Sequence, residues 1–237
     1  MSHFTAEISG ATYGELPVLD YLPLRAEKGE VTVILGANGA GKSTALLAIV
    51  GLVKCASRKL SLGGEDVSRM STSRLARAGI GLVPDGAKCF PSLTVEENLL
   101  GAAAVVHGRN RQAAQRLSQV EKMFPVLASR RDQKAGTMSG GERQMLSVGR
   151  ALMTEPQVLL IDEPSAGLAP IVCEELFDAL GYIGRSGSCA LIVAEQNFEL
   201  ASAIADRVVV LDRGKVTASS ATSEISFDEM REAYLGG

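Results

Sequence analysis

The stretch "VTVILGANGAGKST", Val31 to Thr44, constrains the fold more than any other. A β-branched apolar run stops at Gly36, and "GANGAGKST" then matches G-x-x-x-x-G-K-[ST] with Gly36, Gly41, Lys42 and Ser43. Glycines let the backbone turn tightly, so that successive N–H groups face one point. A helix starting at Lys42 adds the positive end of its dipole. Such a cradle suits phosphate oxygens. The backbone of Gly36, Ala37, Asn38, Gly39, Ala40, Gly41 and Thr44 would line it. Lys42 can reach β- and γ-phosphates, and the Ser43 hydroxyl can hold Mg²⁺. Kinases, GTPases and transport ATPases all use a loop of this kind, so it does not choose among them.

The rest of the chain reads as alternating strands and helices. "FTAEIS", "RKLSLGGEDV" and "AGIGLVP" are strand-like, and a helix is expected from Lys42 through Val50. From Leu93 to about Arg131 strand signals vanish. "LTVEENLLGAAAVVHG" and "RNRQAAQRLSQVEKMF" read as helices there, the first opened by a Thr94/Glu97 capping box. This is a helical subdomain, at about residues 91–150, inserted into one α/β domain spanning 1–237. Alternation resumes with "QVLLID", "IVCEELFDALGYIG", "SCALIVA", "NFELASAIA" and "RVVVLD". That order implies a mainly parallel core sheet covered by helices.

Bulk properties exclude several classes. Of the 237 residues 46% are hydrophobic, enough for a real core, and net charge is −3, so no basic field argues for nucleic acid. Cys55, Cys89, Cys173 and Cys189 lack metal-ligand spacing and read as free thiols in a reducing compartment. No apolar run approaches the roughly 18 residues that span a bilayer. The N-terminus, "MSHFTAEISG", lacks the pattern of a signal peptide. Work at a membrane would therefore need another chain as anchor.

Two further segments carry chemistry. "VLLIDEP" ends an apolar strand in Asp162 and Glu163. Adjacent carboxylates there are costly without partners. A metal–nucleotide beside the phosphate loop supplies one, with Asp162 toward the metal and Glu163 as the base for an attacking water. The plain alternative is a strand running out into solvent. "MSGGERQMLSVGRALM" contains a Ser139/Glu142 capping box, so it also reads as a well-capped helix. Capping does not explain two glycines in its first turn, which cost helix stability. Close approach of a phosphate would.

With "SGGER" before "LLIDEP", the chain resembles the ATP-binding cassette (ABC) ATPases over essentially its whole length. The resemblance implies a P-loop NTPase with an N-terminal antiparallel β-subdomain added to the parallel core and the helical insert. It implies a head-to-tail dimer with a second ABC ATPase subunit, binding ATP and Mg²⁺ between phosphate loop and signature. Ser139, Gly140 and Gly141 would then contact the γ-phosphate of ATP across the interface. Tyr13 stands where the family places an aromatic that stacks on adenine; ordinary strand packing is its other reading.

Three stretches are similar to Liv-type importers of branched-chain amino acids: "LVPDGAKCFPSLTVEENL", "DEPSAGLAPIV" and "VAEQN". Importers of urea and short amides share much of this pattern. The resemblance implies integral-membrane permease subunits, an indirect solute-binding protein, and a location on the cytoplasmic face of the inner or plasma membrane. Asp85 replaces the Gln or Glu usual at its position, so its contact with metal or water would be less secure. Gly86, Ala87 and Lys88 replace "GRR". Rival readings are an ABC ATPase acting on DNA or ribosomes, whose long inserts do not fit in 237 residues, and a non-hydrolysing regulatory module, against which Lys42, Asp162 and Glu163 argue.

"LIVAEQN" (Leu191–Asn197) ends a strand in three polar residues where most relatives of this type carry a phosphate-sensing histidine. Aligned on E-Q-N that position is Gln196, with Glu195 as the occupant if the register moves by one. Asn197 also reads as a helix cap. Gln196 donates and accepts hydrogen bonds without titrating. The chain's histidines, His3 and His107, lie far from this triplet in sequence. Hydrolysis is therefore expected to lack an acid limb near the ordinary histidine pKa of about 6.5.

Overall fold

The strands Val31–Leu35, Val158–Asp162 and Ala190–Glu195 are buried along their whole length, on both faces, and that dictates where the helices lie. The structure, a computed structural model, describes residues 3–107 and 112–224. In chain order the elements are β1 (His3–Tyr13), β2 (Leu16–Glu27), β3 (Val31–Leu35), α1 (Lys42–Ile49), β4 (Ser57–Leu62), β5 (Glu65–Asp66), α2 (Thr72–Arg77) and β6 (Ile80–Val83). Then come α3 (Val95–His107), α4 (Ala113–Met123), α5 (Pro125–Ser129), a single 3₁₀ turn (Ala135–Thr137), α6 (Gly140–Leu152) and β7 (Val158–Asp162). The chain continues through α7 (Pro170–Arg185), β8 (Ala190–Glu195), α8 (Phe198–Ile204), β9 (Arg207–Asp212) and β10 (Lys215–Ala221). The start of the helix expected from Arg109 and the side chain of His107 lie outside the described residues.

The strands form one curled sheet in the order β5-β4-β1-β2-β10-β9-β3-β8-β7-β6. The run β9-β3-β8-β7-β6 is parallel throughout. β5, β4, β1 and β2 are antiparallel neighbours, as the family resemblance implies. Side chains on a strand alternate between faces. On one face Val33, Leu159, Ile161, Leu191, Val193, Val208 and Val210 meet α3, α6, α7 and α8. On the other, Ile34, Leu160, Ile192 and Val209 share a core with Leu46 and Ile49 of α1 and Phe4, Ile8, Leu22 and Leu24 of the antiparallel strands. α1 is thus covered on nearly all sides, including Lys42 and Thr44, which accounts for a helix without a separate polar face.

Four elements carry little sequence signal. β2 contains Pro17 and Pro23, which cannot donate to a ladder. It is tolerated because β10 pairs with it only at Lys215↔Tyr21, leaving most of that edge without a ladder. β10 is polar and half-exposed, with no apolar face to betray it. α2 and α5 are too short for periodicity to show.

Helices α3 to α6 all fall between β6 and β7. Both expected capping boxes form. Thr94 N–H donates to Glu97 Oε2 at 2.8 Å and Glu97 N–H to Thr94 Oγ1 at 3.1 Å. The Ser139/Glu142 pair does the same at α6. Leu46 is fully buried where α1 meets both sheet regions. Leu46→Ala should lower unfolding free energy by about 2–5 kcal/mol, seen as a lower denaturant midpoint.

Candidate functional site

The parallel strands β3, β8 and β7 end side by side, and each delivers a polar group to the same edge. Gly36 follows β3. A Cβ there would lie 2.5 Å from the Leu211 carbonyl oxygen, so no larger residue fits without moving backbone. Gly39 and Gly41 turn the loop with φ of 83° and 106°, in the left-handed region. Ala37, Asn38 and Gly39 form its exposed crest, while Ala40, Gly41 and Thr44 are buried beneath. Gly41 is also the residue before α1, so the loop opens onto that helix's N-terminus.

Lys42 is 3% exposed, and its ammonium donates to the carbonyls of Gly36 at 2.8 Å and Ala37 at 3.1 Å. It also pairs with Glu163 Oε1 at 3.0 Å. A phosphate entering the loop would compete with Glu163 for this charge, releasing the carboxylate as the phosphate binds. Ser43 Oγ donates to Asp162 Oδ1 at 3.0 Å. Asp162 is 5% exposed, and its pKa is raised from 3.8 to about 6. Burial is the main cause; the Ser43 hydrogen bond lowers it, and the fields of Glu163 and Asp85 raise it again.

That buried, under-compensated carboxylate beside a hydroxyl is a good fit for Mg²⁺, which prefers hard oxygen ligands and binds one or two carboxylates together with phosphates. Among the described residues no cluster of three or more His, Cys, Asp or Glu forms a self-sufficient metal cage. Asp85 is exposed, beyond the end of β6, whose last residue Val83 pairs with Ile161. Its negative field reaches Asp162, which places it near the same corner.

Glu163 has φ 42°, a conformation rare for a side chain with a Cβ. Its N–H donates to the Ala194 carbonyl at 2.9 Å, and its carbonyl accepts the Ala166 N–H at 3.1 Å. The sheet ladder and the following turn hold it there between them. Backbone strain of this kind is concentrated at functional sites.

The triplet after β8 divides its labour. Glu195 is 1% exposed and turned inward. Its Oε1 accepts the Ser165 N–H at 3.1 Å and the Ser165 hydroxyl, and its Oε2 accepts the N–H groups of Gln196 and Asn197. Asn197 Oδ1 caps α8 by accepting from Glu199 and Leu200, as the sequence leads one to expect. Gln196 and Asn197 are both exposed at the strand end, and Glu195 is the member turned inward.

The model of the family described as ABC transporter matches residues 19–166. A branched-chain amino acid transport ATP-binding protein of Pseudomonas aeruginosa is 40% identical, over 95% of this chain and 96% of that one. A protein of Archaeoglobus fulgidus named as a probable branched-chain amino acid transport ATP-binding protein is 34% identical, over 96% and 95%. A solved nucleotide-free ATP-binding cassette from an ABC transporter superposes with a TM-score of 0.82 at 25% identity, over 100% and 96%. The chain belongs to the ABC transporter family. Among its described residues no helix is long and apolar enough to cross a membrane.

The segment Ser139–Gly141 has its own contacts. Ser139 is taken up in the cap of α6, and Arg130 holds Glu142 at 2.8 Å. A Cβ on Gly141 would sit 2.2 Å from Val172 Cγ1, so packing against α7 explains that glycine. Gly140 is exposed, and a Cβ there would meet only Leu168 at 3.7 Å. Of the two glycines, Gly140 is the one that intrachain packing leaves without a reason. Tyr13, at the end of β1, is 63% exposed, so strand packing does not account for its ring.

Two residues tied into this end of the molecule were not legible in the sequence. Ser165 is one, since nothing local ties it to Glu195. Asn98 is the other. Wholly buried in α3, it accepts from the Phe90 N–H at 2.9 Å and donates to the carbonyls of Phe90 at 3.0 Å and Thr94 at 2.9 Å. Arg150 closes the same loop by stacking 4.6 Å over the Phe90 ring and donating to the Lys88 carbonyl. An uncharged polar residue directly before the apolar pair Leu99–Leu100 was the available signal.

The raised pKa of Asp162 has a definite sign. Between 3.8 and about 6 the folded chain keeps a proton that the unfolded chain has released. Without metal, wild-type stability relative to Asp162→Asn should therefore fall as pH rises through that window and then level off. Melting temperatures of both proteins across the range measure it, and a constant difference would show that Asp162 titrates ordinarily.

Proposed function

We propose that this chain is the ATP-binding and ATP-hydrolysing subunit of an ABC importer that energises uptake of branched-chain amino acids through separate membrane permease subunits. The observation that carries the ATPase reading is the convergence of Lys42, Ser43, Asp162 and Glu163 at one sheet edge. The solute class is supported by the two relatives from Pseudomonas aeruginosa and Archaeoglobus fulgidus and by the quoted stretches they resemble.

In this reading the whole of residues 1–237 is one ABC domain, and the helices from about 91 to 150 are its signature-bearing insert. The phosphate loop, from Gly36 to Thr44, binds the triphosphate with its backbone N–H groups, and Lys42 turns from Glu163 to the β- and γ-phosphates. Tyr13 stacks on adenine. Ser139, Gly140 and Gly141 of a second subunit, identical or homologous, cover the γ-phosphate. Ser43 and Asp162, with Asp85 nearby, would hold Mg²⁺, which when bound neutralises charge on the β- and γ-phosphates.

Glu163, freed from Lys42, orients the attacking water and accepts its proton. Gln196 holds the γ-phosphate and water in line by hydrogen bonds. Closure moves the Asp85 loop, which Asn98 and Arg150 tie to the helical insert, and so passes the change to the permease. The chain then works at the cytoplasmic face of the membrane, with a solute-binding protein acting through the permease and no nucleic-acid partner.

Glu163→Gln should bind ATP yet turn it over on the order of 10²–10⁴-fold more slowly. Near-normal phosphate release would take the base role from Glu163. With Mg²⁺ saturating, Asp162 stays ionised, and the pH–rate profile should show no acid limb near 6.5, the ordinary histidine value. A limb abolished by replacing His107 would defeat the Gln196 assignment. Cells lacking the gene should lose uptake of labelled leucine, isoleucine or valine. Loss of urea or amide uptake alone would reassign the solute.

A further inference from the structure

Glu195 is the least exposed carboxylate among the described residues, at 1%, and no described cation pairs with it. A buried carboxylate of this kind persists only when hydrogen bonds replace its hydration. Here both oxygens are filled by donors, and the donors come from two separate loops. Ser165 supplies an N–H and a hydroxyl to Oε1, two residues after Glu163. Gln196 and Asn197 supply N–H groups to Oε2.

The backbone of Glu195 adds a third loop, because its carbonyl accepts the N–H of Gly36, where the phosphate loop begins, at 3.3 Å. On the far side of the turn, Cys173 Sγ lies 3.7 Å from the Ser165 carbonyl and ties it to α7. One side chain therefore bridges the turn that carries Glu163 and the backbone that carries Gln196.

We propose that Glu195 is a positioning residue that locks the Glu163 turn to Gln196, so that base and phosphate sensor hold one fixed relative placement. The proposal rests on the roles given above to Glu163 and Gln196. Its chemical logic follows from Gln196 being an amide. A group that never carries the proton contributes only by where it points, so its backbone must be anchored. All four side-chain contacts to Glu195 are donors, which suits an ionised carboxylate and no isostere. A glutamine would turn an NH₂ toward one of the two donor pairs, and an aspartate is one methylene too short to reach both.

The test compares Glu195→Gln, Gln196→Ala and the double variant in the full chain, with ATP affinity by calorimetry and turnover by phosphate release. Glu195→Gln should lower kcat by about 10–100-fold, as loss of an orienting partner typically does. ATP affinity should stay within about threefold, because no group that binds ground-state nucleotide is removed. The double variant should be no slower than the slower single one, since both changes act on the same placement. Multiplying effects, or loss of ATP affinity instead of kcat, would overturn the proposal.

Normal turnover in Gln196→Ala would remove the sensor reading, and this proposal with it. Impaired Gln196→Ala beside normal Glu195→Gln would remove Glu195 alone. If Glu195→Gln does not fold, Ser165→Ala takes its place, since it deletes only the hydroxyl. It should lower kcat without changing ATP affinity and should not add to Gln196→Ala; unchanged kcat would count against the bridge.

Discussion

The parallel ladder joining β3, β8 and β7 is the interaction on which the site depends. Leu35 pairs with Glu195 and Asp162 with Ala194, so three strands finish within one residue of one another. The ladder runs on past the strand ends. Gly36 donates to the Glu195 carbonyl and Glu163 to the Ala194 carbonyl. The Gly36–Thr44 loop, Asp162, Glu163 and Gln196 therefore inherit their mutual placement from backbone hydrogen bonds. A one-residue slip in β8 would turn Glu195 outward and drive Gln196 into the core.

Around that edge the protein carries charges it does not fully compensate. Lys42 is buried against carbonyls and a single carboxylate. Asp162 is desolvated enough to raise its pKa to about 6. Glu163 sits in a left-handed backbone conformation. Each is unfavourable in isolation, and in the proposed function each would be relieved or used when a magnesium-bound triphosphate binds. Glu195 is the contrast. Its four donors satisfy it within the chain, which fits a part that holds other parts in place.

Much of this was legible because it is local. Both capping boxes and the Asn197 cap depend on residues a few positions apart, and each forms as read; the glycines of the Gly36–Thr44 loop turn it onto α1. The strands of the parallel core showed as apolar runs because both of their faces are covered. Signals failed where the reason lies elsewhere in the chain. Gly141 read only as a phosphate-facing glycine, and the packing reason for it, Val172 on α7, shows only in the folded chain. Pro17 and Pro23 hid β2, because the largely unpaired edge that tolerates them comes from the single bridge with β10. Asn98 looked like a helix residue, and only the folded loop shows it gripping Phe90.

By itself the sequence determined the class of domain, the phosphate loop, the acidic strand end and the family. Those properties reside in short patterns whose chemistry is carried by adjacent residues. Tertiary structure decided which member of the E-Q-N triplet faces which way, that Lys42 is held by Glu163, and that Ser165 belongs with Glu195. These are contacts between segments up to 121 positions apart. They are set by strand register and by the covering of both sheet faces, which no local pattern encodes.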